Sequence, residues 1–302
     1  MPRTITVGLD GSPESRVAAE WAAREAELCG LPVKLVHVWE PVSEPMAQAP
    51  ILGAETHQHW TERVPREAAE SLRLRHPGVE VTTEQLPGRP GDILADAAKD
   101  AELLVLGSRG MSGIGGFMVG SVGLSVVAHA ERPVVLVRVG KQVADEHRMG
   151  PAGIPSAATP FRPVVLGLDT ASPHEELIEF AFAAAALRDI TLRVVHGWNP
   201  PPCYAYCGPS VDLELRGSLA VSETTAVAEI LRPWRQRFPD VEVVEESRYG
   251  TPAQHLVDAS REASLVVVGR RVRHSPLGAH IGPVTHAVLH HAAAPVAVVP
   301  HD

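Results

Sequence analysis

The stretch ITVGLD at residues 5–10 recurs as VVLGLD at residues 164–169, and that recurrence decides the fold. At the same offset LVHVW (35–39) returns as VVHGW (194–198). Further on, PGRPGDILADAAKDAELLVLGSRG (87–110) matches YGTPAQHLVDASREASLVVVGRRV (249–272), and GSVGLSVVAHAERPVVLV (120–137) matches GPVTHAVLHHAAAPVAVV (282–299). These later matches share a second register, three residues longer than the first. Four ordered matches in two nearby registers mark a duplication. Between the copies lies GKQVADEHRMGPAGIPSAATPFRP (140–163), rich in Gly, Pro and Ala and without periodicity. It reads as a connector. The expected organisation is a domain over 1–142, a linker over 143–160 and a second domain over 161–302.

Each copy alternates strand and helix signals. In the first, Val-, Ile- and Leu-rich runs predict strands near 4–9, 33–38, 79–86, 103–106 and 133–138. Helices are predicted near 13–29, 54–76, 90–99 and 120–130. Pro13 and Pro90 suit the first helical position, where the missing N–H is not needed, and Pro133 stops the last helix. The second copy predicts strands near 164–168, 191–197, 241–248, 264–268 and 295–299. This order argues for a parallel sheet with helices on both faces. The predicted class is α/β: two tandem doubly wound, Rossmann-like or flavodoxin-like domains of five strands each.

Composition narrows the function. The chain has 302 residues, 45% hydrophobic and 21% charged, with a net charge of −9. That balance gives no reason to expect nucleic acid or an anionic membrane as partner. The apolar runs are too short to span a bilayer, and the N-terminus opens directly on a strand pattern with no secretory signal. Cys29, Cys203 and Cys207 make no disulfide framework, so a reducing cytoplasm is the expected compartment.

In such sheets ligands sit beyond the carboxyl ends of the strands, where strand order reverses. Two stretches fall there in the first copy. One is Gly8-Leu9-Asp10-Gly11-Ser12; the other is GSRGMSGIGGFMVGS (107–121), after the fourth strand. Gly107 and Gly110 would let backbone approach a ligand without Cβ clashes. Gly120 and Ser121 would open a helix whose free N–H groups favour phosphate. Arg109 adds a charge that could face either phosphate or solvent. Other phosphate loops fit worse. Gly115 to Gly120 has P-loop spacing, but Ser121 stands where the lysine should be. The first strand carries no G-x-G-x-x-G.

The G-x2-G-x9-G-S spacing of Gly107, Gly110, Gly120 and Ser121, the Asp10 that closes the first strand, and the His37-Val38 that ends the second resemble the ATP-binding type of universal stress protein. The resemblance covers both copies, and tandem pairs occur in that family. It implies that Gly8, Asp10 and Gly11 lie by the adenine and ribose and that Val38 meets the adenine through its backbone. Gly107, Gly110, Gly120 and Ser121 would hold the ribose and phosphates. It further implies ATP as the cofactor, accompanied by Mg²⁺, and an internal pseudo-dimer paired through the terminal strands Val134–Val137 and Val296–Val299, with a homodimer of chains as a weaker expectation.

The second copy departs from this pattern. Asp169, Gly269 and Gly282 persist as weaker nucleotide candidates. Thr170 and Ala171 replace Gly11 and Ser12, Gly197 replaces Val38, Val272 replaces Gly110, and Pro283 replaces Ser121. The valine narrows the site, and the proline removes a hydroxyl and an N–H. Arg270, Arg271 and Arg273 favour phosphate or simply form a solvated basic loop.

Other signals read as structural. His286 and His290 have helical metal-ligand spacing, with His291 beside them, but no neighbouring carboxylate or cysteine. No metal site is expected there, nor at His57 and His59. His37 and His196 end matching strands. Trp39 and Trp198 follow them as packing residues. Cys203 and Cys207 lack redox-motif spacing. Asp10 serves either a ligand or the cap of the following helix, and the persistence of Asp169 supports the cap. No Walker lysine or carboxylate pair accompanies the glycines, so no catalytic residue is assigned. The expected function is nucleotide-dependent stress response with at most slow hydrolysis. The alternatives are a nucleotide hydrolase or adenylyl-transferring enzyme, and a nucleotide-free interaction module.

Overall fold

The computed structural model describes residues 3–40, 54–110, 117–140, 143–150, 156, 158–200, 209–272 and 281–302, with backbone alone at 54–61, 109–110, 117–118, 143 and 209–215. Two compact units hold the two copies, one on Met1–Lys141, the other on Gln142–Val272 with Gly282–Asp302.

The first unit runs β1 (Thr4–Leu9), α1 (Pro13–Cys29), β2 (Val33–Trp39), α2 (Ala54–Arg75), β3 (Val81–Pro87), α3 (Pro90–Ala97), β4 (Ala101–Gly110), β5 (Phe117–Met118), α4 (Ser121–His129) and β6 (Val134–Arg138). The parallel sheet has the order β3-β2-β1-β4-β6. Along β1, Ile5 and Val7 are fully buried and Thr6 is nearly so, because helices cover both faces. β3, at one end of this order, buries Val81 and exposes Thr82 and Thr83. The predicted strands and helices fall where expected, with one difference. β4 does not stop at Leu106. It continues to Gly110 and turns back through β5, pairing Arg109 with Met118 and Gly110 with Phe117. Gly107 and Gly110 are therefore strand residues, and the unit carries a short antiparallel strand beyond the five expected.

The second unit repeats the plan with β7 (Val164–Gly167), α5 (Glu175–Leu187), β8 (Leu192–Trp198), α6 (Pro209–Arg237), β9 (Val243–Tyr249), α7 (Pro252–Ala259), β10 (Leu265–Arg271), α8 (Pro283–His291) and β11 (Val296–His301). Its parallel order is β11-β10-β7-β8-β9. The connector does not run free where it is described. His147 pairs with Phe161 as an antiparallel bridge and stacks on its ring at 4.1 Å. Arg162 donates from its amide to the Glu146 carbonyl at 2.8 Å and from Nε to the His147 carbonyl at 2.9 Å.

The two cores differ in composition. In the second unit Phe182 of α5 is fully buried against Trp234 of α6 and Phe238, at ring distances of 6.1 and 5.4 Å. The core of the first unit holds Trp21 of α1 with aliphatic residues such as Leu35, Leu72 and Leu104. Phe182→Ala is expected to destabilise the second unit by about 3–5 kcal/mol. Chemical denaturation followed by tryptophan fluorescence checks this.

Candidate functional site

Strand order reverses between β1 and β4 in the first unit, which pair in parallel from Ile5↔Leu103 to Val7↔Val105. Their carboxyl ends therefore open side by side. Asp10 stands just past β1. One of its oxygens accepts from the Ser12 amide at 3.0 Å and from the Ser12 hydroxyl. Ser12 caps α1, accepting from the Ser15 amide at 3.1 Å. Burial alone would raise the Asp10 carboxyl, but the hydrogen bonds from Ser12, with help from Ser15, outweigh it and hold the group below the usual carboxylate range. The stability this provides is present above that range and is lost as pH falls through the lowered value. Asp169 makes the same turn, accepting from the Ala171 amide at 3.0 Å. That explains an aspartate retained in the second copy by local geometry alone.

The glycines separate into two kinds. A Cβ on Gly8 would lie 2.5 Å from the Leu106 side chain, and one on Gly107 would lie 2.4 Å from the backbone of Glu14. Those two make room for the protein itself. Gly11 adopts φ +80 and packs toward Val64. Gly120 is different. It is the N-cap of α4 with φ −63, a value any residue adopts, and among the described residues no atom lies within 4 Å of where its Cβ would be. Neither its conformation nor the described neighbours require glycine there. Gly120 and Ser121 are exposed, and the N-cap residue itself offers the first amides of α4 no side-chain cap. This is a bare helix terminus facing solvent beside the end of β4. His37 ties the two strand ends together, its Nδ1 donating to the Leu9 carbonyl at 2.8 Å, and leaves Val38 half-buried beside it.

A cavity of about 730 Å³ meets this region at Leu9, Asp10 and Gly11, but it runs along the groove between α1 and α2, past Arg16, Val64 and Arg75, rather than toward Gly120. In the second unit a cavity of about 280 Å³ lies within the crevice itself, between the ends of β7, β8 and β10. Here the lining has changed. Thr170 and Glu223 occupy the contact that Gly11 and Val64 make in the first unit, with the Thr170 hydroxyl donating to Glu223 at 3.2 Å. His196 donates from Nδ1 to the Leu168 carbonyl at 3.0 Å, and its Nε2 meets Glu223 at 3.0 Å. α5 starts only at Glu175, so the residues before it turn inward. His174 stacks on His301 with ring centroids 3.6 Å apart. A Cβ on Gly269 would lie 2.6 Å from His301 Nε2, so the imidazole fills the place beside that glycine. Gly282, like Gly120, has no atom of the described residues within 4 Å of its Cβ position, and Pro283 follows it without an N–H.

Sequence reasoning named Asp169, Gly269 and Gly282 but missed His174 and His301. Their signal was a histidine at the start of the second copy's first helix and another at the end of its last strand, neither present in the first copy. Among the described residues no cluster of three or more His, Cys, Asp or Glu side chains could hold a metal, and His286 and His290 sit as a surface pair 4.6 Å apart. No described helix is long and apolar enough to cross a membrane. Cys203, Cys207 and Arg273 lie outside the described residues, as do the side chains of His57, His59 and Arg109.

The universal stress protein family model matches residues 1–138 and again 160–300. A universal stress protein of Mycolicibacterium smegmatis is 33% identical over 301 residues, covering 98% of this chain and 96% of its own. One from Mycobacterium tuberculosis is 32% identical over 299 residues, covering 97% of this chain and 95% of its own. Among solved structures, a universal stress protein from Archaeoglobus fulgidus superimposes with a TM-score of 0.68 at 18% identity, over 99% of this chain and 98% of that one. That last likeness speaks to the fold alone.

The two kinds of glycine predict different responses to a methyl group. Gly107→Ala drives Cβ into the first turn of α1 and is expected to cost about 1–3 kcal/mol by overpacking. Gly120→Ala meets open space and is expected to cost less than about 1 kcal/mol, the loss of a tolerated N-cap. Ser12→Ala removes a made cap and is expected to cost about 1 kcal/mol. Urea midpoints of the three variants check the ranking.

Proposed function

Because the chain belongs to the universal stress protein family, in its tandem form, we propose that the first unit binds ATP, with Mg²⁺ travelling on the nucleotide, and that occupancy regulates the protein in a cytoplasmic stress response. In this reading Asp10 and Gly11 flank the adenine and ribose, with Val38 meeting the base through its backbone. Gly110, Gly120 and Ser121 take the ribose and phosphates, while Gly8 and Gly107, whose Cβ positions the protein itself fills, meet the nucleotide through backbone alone.

One observation carries the reading. The residues that open α4 are exposed, their N-cap offers no side-chain cap, and that N-cap is a glycine that neither its conformation nor any described neighbour explains. A phosphate supplies the missing reason: it accepts from free helix amides and needs the space a side chain would fill. The role is binding with at most slow hydrolysis. Asp10, the carboxylate beside the crevice, is engaged by Ser12 in building the α1 cap rather than held free toward a reacting water.

Gly120→Asp tests this directly. An aspartate at the N-cap satisfies the helix amides itself and repels phosphate. Its expected signature is an unchanged or raised melting temperature together with an ATP affinity at least ~10-fold weaker, a difference of about 1.4 kcal/mol. An aspartate variant that binds ATP as tightly as the native protein would remove α4 from the site. Mass spectrometry of gently denatured protein separates the alternatives: released ATP supports binding, AMP supports an enzyme, and no nucleotide supports an interaction module.

A further inference from the structure

The second crevice is not a damaged copy of the first, because it has been rebuilt around two imidazoles. His174 comes from the unwound entry to α5 and His301 from the end of β11. They stack at 3.6 Å, and His301 fills the space beside Gly269. Arg271 donates to the Ser172 hydroxyl at 2.9 Å, and Ser172 in turn meets His174 Nε2 at 3.0 Å. With Arg271 as an obligate donor, the Ser172 proton is free to point at Nε2. Both histidines and Arg271 line the same cavity, together with apolar Leu177, Leu256 and Val284 and polar Asp169 and Thr285.

We propose that the His174–His301 stack is a plug in the second crevice that gives way on protonation and admits a small phosphate-bearing anion. A face-to-face stack holds two neutral rings, whereas two imidazolium ions at that separation repel each other and are repelled again by Arg271. The same protonation changes what the crevice attracts. Arg271 and Asp169 both line the cavity, and protonated rings add two cations to that lining. The groups facing the stack come from each element around it: Arg271 from β10, Glu176 from α5, Asp169 from the end of β7, and the Asp302 carbonyl after β11. On the far side His196 and Glu223 are already bonded to each other. Burial is the largest influence on His301 and pushes it below the ordinary imidazole value; the Asp302 carbonyl opposes this, His174 and Arg271 add to it, and Glu176 offsets a little. A lowered histidine favours the closed, neutral state above the ordinary value, and that preference is lost as pH falls below it.

The test counts binding equivalents on the full chain carrying Gly120→Asp, which silences the first crevice. ATP and inorganic tripolyphosphate are each titrated at about pH 8 and about pH 5.5, on either side of the imidazole range. The expected result is no binding at the higher pH and one equivalent at the lower. Tripolyphosphate binding as well as ATP identifies the phosphate chain as the recognised group; ATP alone shows that the base is needed too. Two variants separate plug from charge. His301→Gln keeps a polar side chain that cannot be protonated, and is expected to stay closed at both values. His301→Ala empties the space beside Gly269, and is expected to bind at both. Arg271→Ala is expected to weaken the low-pH equivalent at least ~10-fold. The proposal is overturned if the affinity is the same at both pH values, if His301→Gln still switches, or if no variant binds under either condition. Histidine Cε1–H resonances give a ligand-free reading: His301 should titrate below the ordinary range, and His174→Ala should bring it back up. The reading of the first unit is scored separately, by the equivalent that Gly120→Asp removes from the native protein.

Discussion

A parallel strand covered by helices on both faces can offer chemistry only at its ends. β1 and β4, and β7 and β10, are such strands: their side chains are spent on the two helical layers. The differences that bear on a ligand therefore fall among the few residues past each carboxyl end. The two units share strand order and registers, and keep the aspartate turn and the strand-end histidine, while the residues around them differ.

The differences are coupled rather than scattered. Where Gly11 touches Val64, Thr170 touches Glu223, and Glu223 also engages His196, whose counterpart His37 holds only the strand end beneath it. Where the Glu14 backbone fills the space beside Gly107, an imidazole fills the space beside Gly269. The second change goes with a later start for α5 and a histidine at the end of β11. A half-buried glutamate with no partner would carry a cost, and so would a cavity left by an unwound helix turn. Each substitution is tolerable because its neighbour changed with it.

Much of this plan was legible in the sequence. The duplication, the strand and helix order and the class of sheet follow from repeats and hydrophobic runs, because those signals are local or periodic. The extension of β4 to Gly110 was not legible, since glycines that follow a strand read as a loop until a partner such as Phe117 is known. The meaning of individual glycines was hidden for a similar reason. Gly107 and Gly120 look alike in a spacing motif, and only the neighbourhood of Glu14, far away in the chain, shows that one makes room for the protein and the other does not. The histidine stack joins two positions that no local pattern connects. Asp10 was read with two roles, and the cap is visible in the hydrogen bonds to Ser12.

The turn made by Asp10 and Asp169 has an evolutionary consequence. It anchors the exit from the first strand of each unit with groups the chain supplies for itself, so neither scaffold needs anything in its crevice in order to fold. A duplicated copy built this way can drift through sequences that bind nothing and still remain a sound protein. That freedom is what allows one half of a tandem chain to acquire a new chemistry while the other keeps the old.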